Sequence, residues 1–180
     1  NAGSSRLLTV GGSGGITLNN SAQLFLSRNS GTFDITRQIT VNDTAGMVWG
    51  GGGTANDSVI ASAIAWNGTT HTLNMASGNR YESSGAWTGS ATVNRTGAST
   101  LTLSGNHASF SGTLNLNGGT TLLSSASFGG TLTLASGATL QSESSITGPV
   151  TLNGGTLVMN PNTAGSLTTA SHLTLTGTNT

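Results

Sequence analysis

The chain has 180 residues, only 6% of them charged, and its five arginines balance five acidic residues to give a formal net charge of zero. Binding to nucleic acid or to an anionic membrane surface depends on clustered Lys and Arg, so we expect neither. The sequence has no apolar run of about 18 residues, so we expect no direct membrane insertion of this segment. The absence of Cys and the bias towards Gly, Ser, Thr and Asn suit a secreted or bacterial cell-surface protein without disulfides.

A short apolar-x-apolar motif recurs along the chain and predicts the first strand of each coil in a repeating structure. It begins at Ile16, Ile39, Ile64, Ala91, Leu114, Leu132, Val150 and Leu173. Successive starts lie 18 to 27 residues apart. A period of about 20 residues is typical of solenoids. The pattern therefore predicts an all-β parallel β-helix of about eight coils of 18–27 residues. We expect residues 1–180 to be one solenoid segment of a longer chain.

Asparagine follows the first strand in six of these eight coils, at Asn19, Asn42, Asn67, Asn94, Asn117 and Asn153. The position is kept although the coil length changes. Asn tolerates left-handed turns, and its amide can bond to the equivalent amide one coil away, so we expect a structural Asn ladder. The alternative is an ordinary preference for Asn in turns.

The aromatic residues are assigned by the alternation of side chains along a strand. This alternation predicts that Trp49, Trp66 and Met75 point into the core, whereas Phe25 points outward. The three Trp residues, Trp49, Trp66 and Trp87, could instead form a sugar-binding platform, but their inward positions favour the core. Tyr81 and Phe25 are the expected exposed aromatics.

A third strand is predicted four residues before each following first strand, and an apolar residue recurs at every sixth position from Phe110 to Val158, including Leu122. Together these patterns predict an axial core of Ile35, Ile60, Trp87, Phe110, Phe128, Ile146, Leu116, Leu134 and Leu152. Two residues after four of the third-strand positions, Gly89, Gly112, Gly130 and Gly148 predict tight corners. Pro149 should then lie at the very start of its strand, because proline cannot donate to a ladder.

Catalytic or metal-binding chemistry is not expected. A polysaccharide-cleaving β-helix needs clustered carboxylates for acid–base work, whereas Asp34, Asp43, Asp57, Glu82 and Glu143 are scattered along the sequence. The three histidines, His71, His107 and His172, fall on different coils and are expected as isolated surface residues. We therefore predict no catalytic residue, no metal site and no cofactor.

Two adjoining segments, Ser84 to Asn106 and Phe110 to Leu122, carry a Leu-Thr-Leu-Ser-Gly-Asn stretch, an aromatic followed by Ser-Gly, and a Gly-Thr-Thr-Leu strand end. They resemble the autotransporter-associated β-strand repeat, and the similarity is clearest over residues 84–159. The resemblance implies a right-handed parallel β-helix in the passenger region of a secreted bacterial surface protein or adhesin. It also implies roles in stalk formation and in folding during export, without a catalytic residue.

The expected function is accordingly that of a non-catalytic extracellular scaffold or stalk. Two alternatives stay open: a self-assembling extracellular fibre, and a β-helix that binds or cleaves polysaccharide. The expected partners are further coils of the same parent chain or a second copy bound end to end, because a solenoid presents unpaired strand edges at its ends. A glycan or another cell-surface molecule is a further possible partner.

Overall fold

A computed structural model describes residues 14–27, 34–35, 37–50, 57–75, 80–124, 127–159 and 173–177. Within these ranges every regular element is a β-strand, and the strands form three parallel sheets of four, eight and seven strands. The prediction of an all-β parallel β-solenoid is confirmed. The stack makes about six turns, so the number of coils differs slightly from the eight predicted.

The strands, in chain order, are β1 Ile16–Leu18, β2 Gln23–Ser27, β3 Asp34–Ile35, β4 Ile39–Val41, β5 Gly46–Gly50, β6 Asp57–Ile60, β7 Ile64–Trp66, β8 Thr70–Met75, β9 Arg80–Ser83, β10 Trp87–Gly89, β11 Thr92–Thr96, β12 Thr100–Leu103, β13 Thr113–Leu116, β14 Gly119–Leu123, β15 Thr131–Ala135, β16 Ala138–Ser142, β17 Val150–Asn153, β18 Thr156–Met159 and β19 Leu173–Thr176. The first sheet has the order β1-β4-β7-β10, the second β19-β17-β15-β13-β11-β8-β5-β2, and the third β18-β16-β14-β12-β9-β6-β3. Neighbouring strands in every sheet therefore come from neighbouring coils.

The motif that was predicted as the first strand of every coil lies in two different sheets. Its early members Ile16, Ile39 and Ile64 lie opposite one another in the first sheet. Its later members, which begin at Ala91, Leu114, Leu132, Val150 and Leu173, fall in or beside strands of the second sheet. There they continue the run of strands β2, β5 and β8. The motif fits either side of a coil, because alternation reports which face is buried but not which sheet the strand joins.

The predicted register of Trp87 is corrected for the same reason. The sequence placed Trp87 level with Ile60, but Trp87 lies opposite Ile64 in the first sheet, whereas Ile60 lies opposite Ser83 in the third. Among the described residues, β10 is the last strand of the first sheet, and an isolated bridge joins its Gly89 to Phe110. Two further isolated bridges join Phe128 to His107 and to Ile146.

The core runs along the axis of the stack. All nine predicted axial residues are buried, with at most 4% of their surface exposed: Ile35, Ile60, Trp87, Phe110, Phe128, Ile146, Leu116, Leu134 and Leu152. Within the second sheet, Leu116, Leu134 and Leu152 lie directly opposite one another. Inward leucines of successive coils therefore stack in a continuous column.

The six-residue period fails at two positions in the third sheet. Leu140 is buried, but its neighbours across the sheet are Thr121 in the preceding coil and Leu157 in the following one. The strict period had assigned these places to Leu122 and Val158. A slip of one residue moves a side chain to the opposite face of a strand. Leu122 is accordingly half-buried in an outward position, and Val158 is 42% exposed.

One corner of the coil requires glycine because successive coils approach closely there. A Cβ atom on Gly148 would lie 2.0 Å from the carbonyl oxygen of Gly130, and one on Gly112 would lie 2.0 Å from that of Ala91. No side chain fits in this space. Pro149 follows at once and directly precedes β17, as predicted, so the sheet loses no ladder hydrogen bond to it.

Candidate functional site

The first three members of the predicted Asn ladder are in contact. Asn42 donates from Nδ2 to Oδ1 of Asn19 at 2.8 Å, and Asn67 donates from Nδ2 to Oδ1 of Asn42 at 3.1 Å. Each residue directly follows a strand of the first sheet. The ladder lies at the surface, where it links three successive coils.

The ladder does not continue to Asn94, Asn117 and Asn153, and this part of the prediction is wrong. These three residues lie in or beside strands of the second sheet, because the motif that located them joins a different sheet in the later coils. Asn94 is instead bonded by Asn115, whose Nδ2 donates to its Oδ1 at 2.8 Å. Ala135 lies opposite Asn153, so no amide partner stands there.

A stack of aromatic rings occupies the interior. Ring centroids are 5.3 Å apart between Trp66 and Trp87, 5.9 Å between Trp87 and Phe110, and 5.6 Å between Phe110 and Phe128. These distances are typical of favourable edge-to-face and offset pairs. In addition, Nε1 of Trp87 donates to Oγ of buried Ser83 at 2.8 Å. Trp66 and Trp87 therefore fill the core rather than form a sugar-binding platform.

The exposure predictions for other large side chains have mixed outcomes. Trp66 and Met75 are fully buried and Phe25 is 64% exposed, as predicted. Tyr81 is only 1% exposed, so its prediction as a surface aromatic is wrong. Tyr81 lies two residues before inward Ser83 in β9 and therefore on the same face of the strand. This alternation was the signal in the sequence that Tyr81 is buried. The side chain of Trp49 lies outside the described residues.

Two histidines predicted at the surface are buried against the aromatic stack, each 1% exposed. The ring nitrogens of His71 lie against the carbonyl oxygens of Ala45, at 2.7 Å, and of Asn67. His107 accepts a hydrogen bond at Nδ1 from the backbone N–H of Trp87 at 3.1 Å. Burial lowers the pKa of His107 to about 4. The third predicted surface histidine, His172, lies outside the described residues.

Arg95 is a fully buried charged residue that the sequence prediction missed. Its Nη1 donates to the carbonyl oxygen of Gly97 at 2.8 Å, and its Nη2 donates to those of Ser99 and, at 3.5 Å, Thr120. Burial lowers its pKa to about 10. The sequence did carry a signal for this burial, because Arg95 lies two residues after inward Val93 in β11 and therefore on the same face of the strand. Backbone dipoles at a corner of the coil thus solvate the cation.

Hydrogen bonds are described for two of the five acidic residues. Asp43, in the turn after β4, accepts a hydrogen bond from the backbone N–H of Asn20 at 2.9 Å. Glu82, in β9 of the third sheet, accepts one from Oγ of Ser104. The side chains of Asp34 and Asp57 lie outside the described set. Over the described ranges, no group of three or more His, Cys, Asp or Glu residues is placed to hold a metal ion.

The outward face of the second sheet carries a regular set of small polar side chains, here called the Thr/Asn array. It covers the strands β8, β11, β13, β15, β17 and β19. Its members are Thr70, Thr72, Asn74, Thr92, Asn94, Thr96, Thr113, Asn115, Thr131, Thr133, Ala135, Thr151, Asn153, Thr174 and Thr176. The pairing brings them into columns, of which the longest is Thr72, Asn94, Asn115, Thr133, Thr151 and Thr174.

The described part of the chain contains no helix long and apolar enough to cross a membrane. In comparisons with known proteins, no family model matches the chain, and neither a curated protein nor a solved structure matches it. The similarity to the autotransporter-associated repeat therefore stays a prediction from the sequence. It enters the function only as a proposal.

Proposed function

We propose that the chain is a non-catalytic extracellular scaffold, a stalk segment of an autotransporter-type surface protein that aids folding and display of its passenger region. The observation that carries this proposal is the unbroken parallel stack. From β8 to β19 every strand of the second sheet pairs with the strand of the next coil without a change of register. Each coil then adds about 4.8 Å of length, and the stability of the stack is a sum over coil–coil interfaces.

The removal of one coil tests this proposal. Thr113 and Thr131 are Cα partners on adjacent strands of the second sheet, so deletion of residues 113–130 joins equivalent points of adjacent coils. A scaffold should refold into a solenoid shorter by one coil, as measured by circular dichroism and small-angle X-ray scattering. Deletion of residues 113–121 is the control, since it removes half a coil and destroys the register.

Enzyme activity is the outcome that would contradict a scaffold. The purified chain should release no reducing ends from a panel of bacterial and plant polysaccharides. Cleavage that is lost in Glu82→Gln would overturn the proposal in favour of the polysaccharide-cleaving alternative. The surface location has its own test, in which antibodies against the chain should label intact, unpermeabilised cells of the source organism.

End-to-end association with further coils or a second copy is supported by the last described strand. Leu173 and Leu175 lie opposite Val150 and Leu152, which are buried, yet they are themselves 44% and 60% exposed. Their apolar surface is of the kind that the next coil covers elsewhere in the stack. Sedimentation velocity should show association that rises with concentration. Leu175→Asp should weaken it, whereas Thr88→Asp, on the outward face of β10, should not.

A further inference from the structure

The Thr/Asn array is distinct from both the core and the end of the stack. Every outward position of its six strands is Thr or Asn, apart from Ala135. No outward position on these described strands carries a charged or aromatic side chain. The array stops at β5, where the outward position holds Val48, and β2 beyond it presents Phe25. The composition of this surface is therefore specific to one face and one length of the solenoid.

The spacing of the array is set by the backbone. Neighbouring strands lie about 4.8 Å apart, and successive outward residues of one strand lie about 6.7 Å apart. In ice, each water oxygen is hydrogen-bonded to four others about 2.75 Å away. This tetrahedral geometry places second-neighbour oxygens about 4.5 Å apart within a layer, and the stacked oxygen layers repeat about every 7.3 Å. The two lattices agree to within about a tenth in both directions. The array thus offers polar groups at the separations of water oxygens in ice.

The side chains of the array are also held in place. Threonine is stiff at χ1 because it is branched at Cβ. Asn115 donates to Asn94 at 2.8 Å, and Oγ1 of Thr96 donates to Oδ1 of Asn74 at 3.3 Å. A surface that is ordered before binding loses little conformational entropy on binding. This rigidity matters for a crystalline ligand, which does not adapt its shape to the protein.

The chemistry of threonine and asparagine suits ordered water. Hydroxyl and amide groups can replace water in a hydrogen-bonded lattice, and threonine methyl groups restrict the orientation of the water beside them. Dissolved acidic or basic partners would need opposite charges on the protein, and sugars are commonly held by aromatic platforms. Neither feature is present on the described strands of this face.

We propose that the Thr/Asn array binds the surface of ice crystals. Its members Thr72, Asn94, Asn115, Thr133 and Thr151 lie on successive strands and form one unbroken column with Thr174. The five intervals of this column span about 24 Å. Bound in this way, the chain would attach its bearer to ice or restrain ice growth. This activity needs no catalytic residue and no cofactor.

The test uses the 180-residue chain and single ice crystals grown in a nanolitre osmometer. We expect faceted crystals and a gap between melting and freezing temperatures with the unaltered chain. Thr133→Lys, at the middle of the array, should abolish both effects, because its long side chain stands above the surface and holds the array away from ice. Thr40→Lys is the matched control, since Thr40 is outward and half-buried on β4 of the first sheet.

Circular dichroism must show that each variant keeps the β-solenoid. If Thr133→Lys does not fold, Thr151→Lys on β17 replaces it under the same criteria. Round crystals with the unaltered chain at its highest soluble concentration would overturn the proposal. Faceting that persists in a folded Thr133→Lys variant would do so as well. Binding to microcrystalline cellulose or chitin without binding to ice would assign the array to a crystalline polysaccharide instead.

Discussion

Replacement of Trp87 by alanine probes the aromatic stack at its centre. The indole is fully buried and makes edge-to-face contacts with Trp66 and Phe110. Truncation of a buried aromatic to alanine costs about 3–5 kcal/mol. The substitution also removes the donor to the Oγ of Ser83, which is itself fully buried. An unsatisfied buried group costs about 1–3 kcal/mol, so we expect a loss near the top of the range, about 5 kcal/mol.

The assay is urea unfolding followed by far-ultraviolet circular dichroism. Trp87→Phe keeps an aromatic ring in the stack but loses the indole N–H and part of the ring volume, so we expect an intermediate loss: about 1–3 kcal/mol for the unpaired Ser83 hydroxyl, together with a smaller cavity cost than in Trp87→Ala. Phe25→Ala is the matched control at an exposed aromatic, with an expected change within about 0.5 kcal/mol. If Trp87→Ala unfolded at the same urea concentration as Phe25→Ala, the stack would not stabilise the fold.

Three further predictions concern the interior and the corners of the coil. The pKa of His107 is about 4 in the folded state against about 6.5 when unfolded, so its contribution to the free energy of unfolding is complete above pH 6.5 and falls by about 3 kcal/mol as the pH drops to 4. His107→Gln should flatten the dependence of this free energy on pH over that range, and an unchanged dependence would contradict the prediction. Arg95→Lys should cost about 1–3 kcal/mol in urea unfolding, because an ammonium group lacks the planar fork that reaches several carbonyls; equal stability would show that the fork is dispensable. Gly148→Ala should destabilise by about 1–3 kcal/mol or more, since its Cβ would overlap the carbonyl oxygen of Gly130, and wild-type thermal unfolding would refute that close approach.

The fold class and the buried face of most strands could be predicted from the sequence. Alternation in motifs such as Leu132-Thr-Leu134 fixes which residues point inward, and a repeat of this length requires stacking. The assignment of strands to sheets could not be predicted in the same way. Ile64-Ala-Trp66 and Leu114-Asn-Leu116 have the same local pattern but lie in different sheets, so the pattern within a strand does not determine which sheet the strand joins.

The buried polar residues show a second limit of sequence reasoning. The sequence predicts His71 and Tyr81 at the surface and gives no sign of a buried Arg95 when the cost of burying such side chains alone is the guide. Each nonetheless occupies an inward position by alternation. The carbonyl groups that bind His71 and Arg95 come from turns of the same or neighbouring coils. A single strand motif does not show these partners, so alternation was the better guide.

The same short motif builds both the interior and the proposed ice-binding surface. In Leu132-Thr-Leu134 the two leucines are fully buried, and the threonine between them belongs to the array. A change of register by one residue would place leucine outside and threonine in the core, as the position of Leu122 illustrates in the third sheet. Core packing therefore keeps the array in register, in addition to the hydrogen bonds that join some of the array residues. It follows that array substitutions which preserve the leucines should alter the binding of ice while leaving the stability of the stack nearly unchanged.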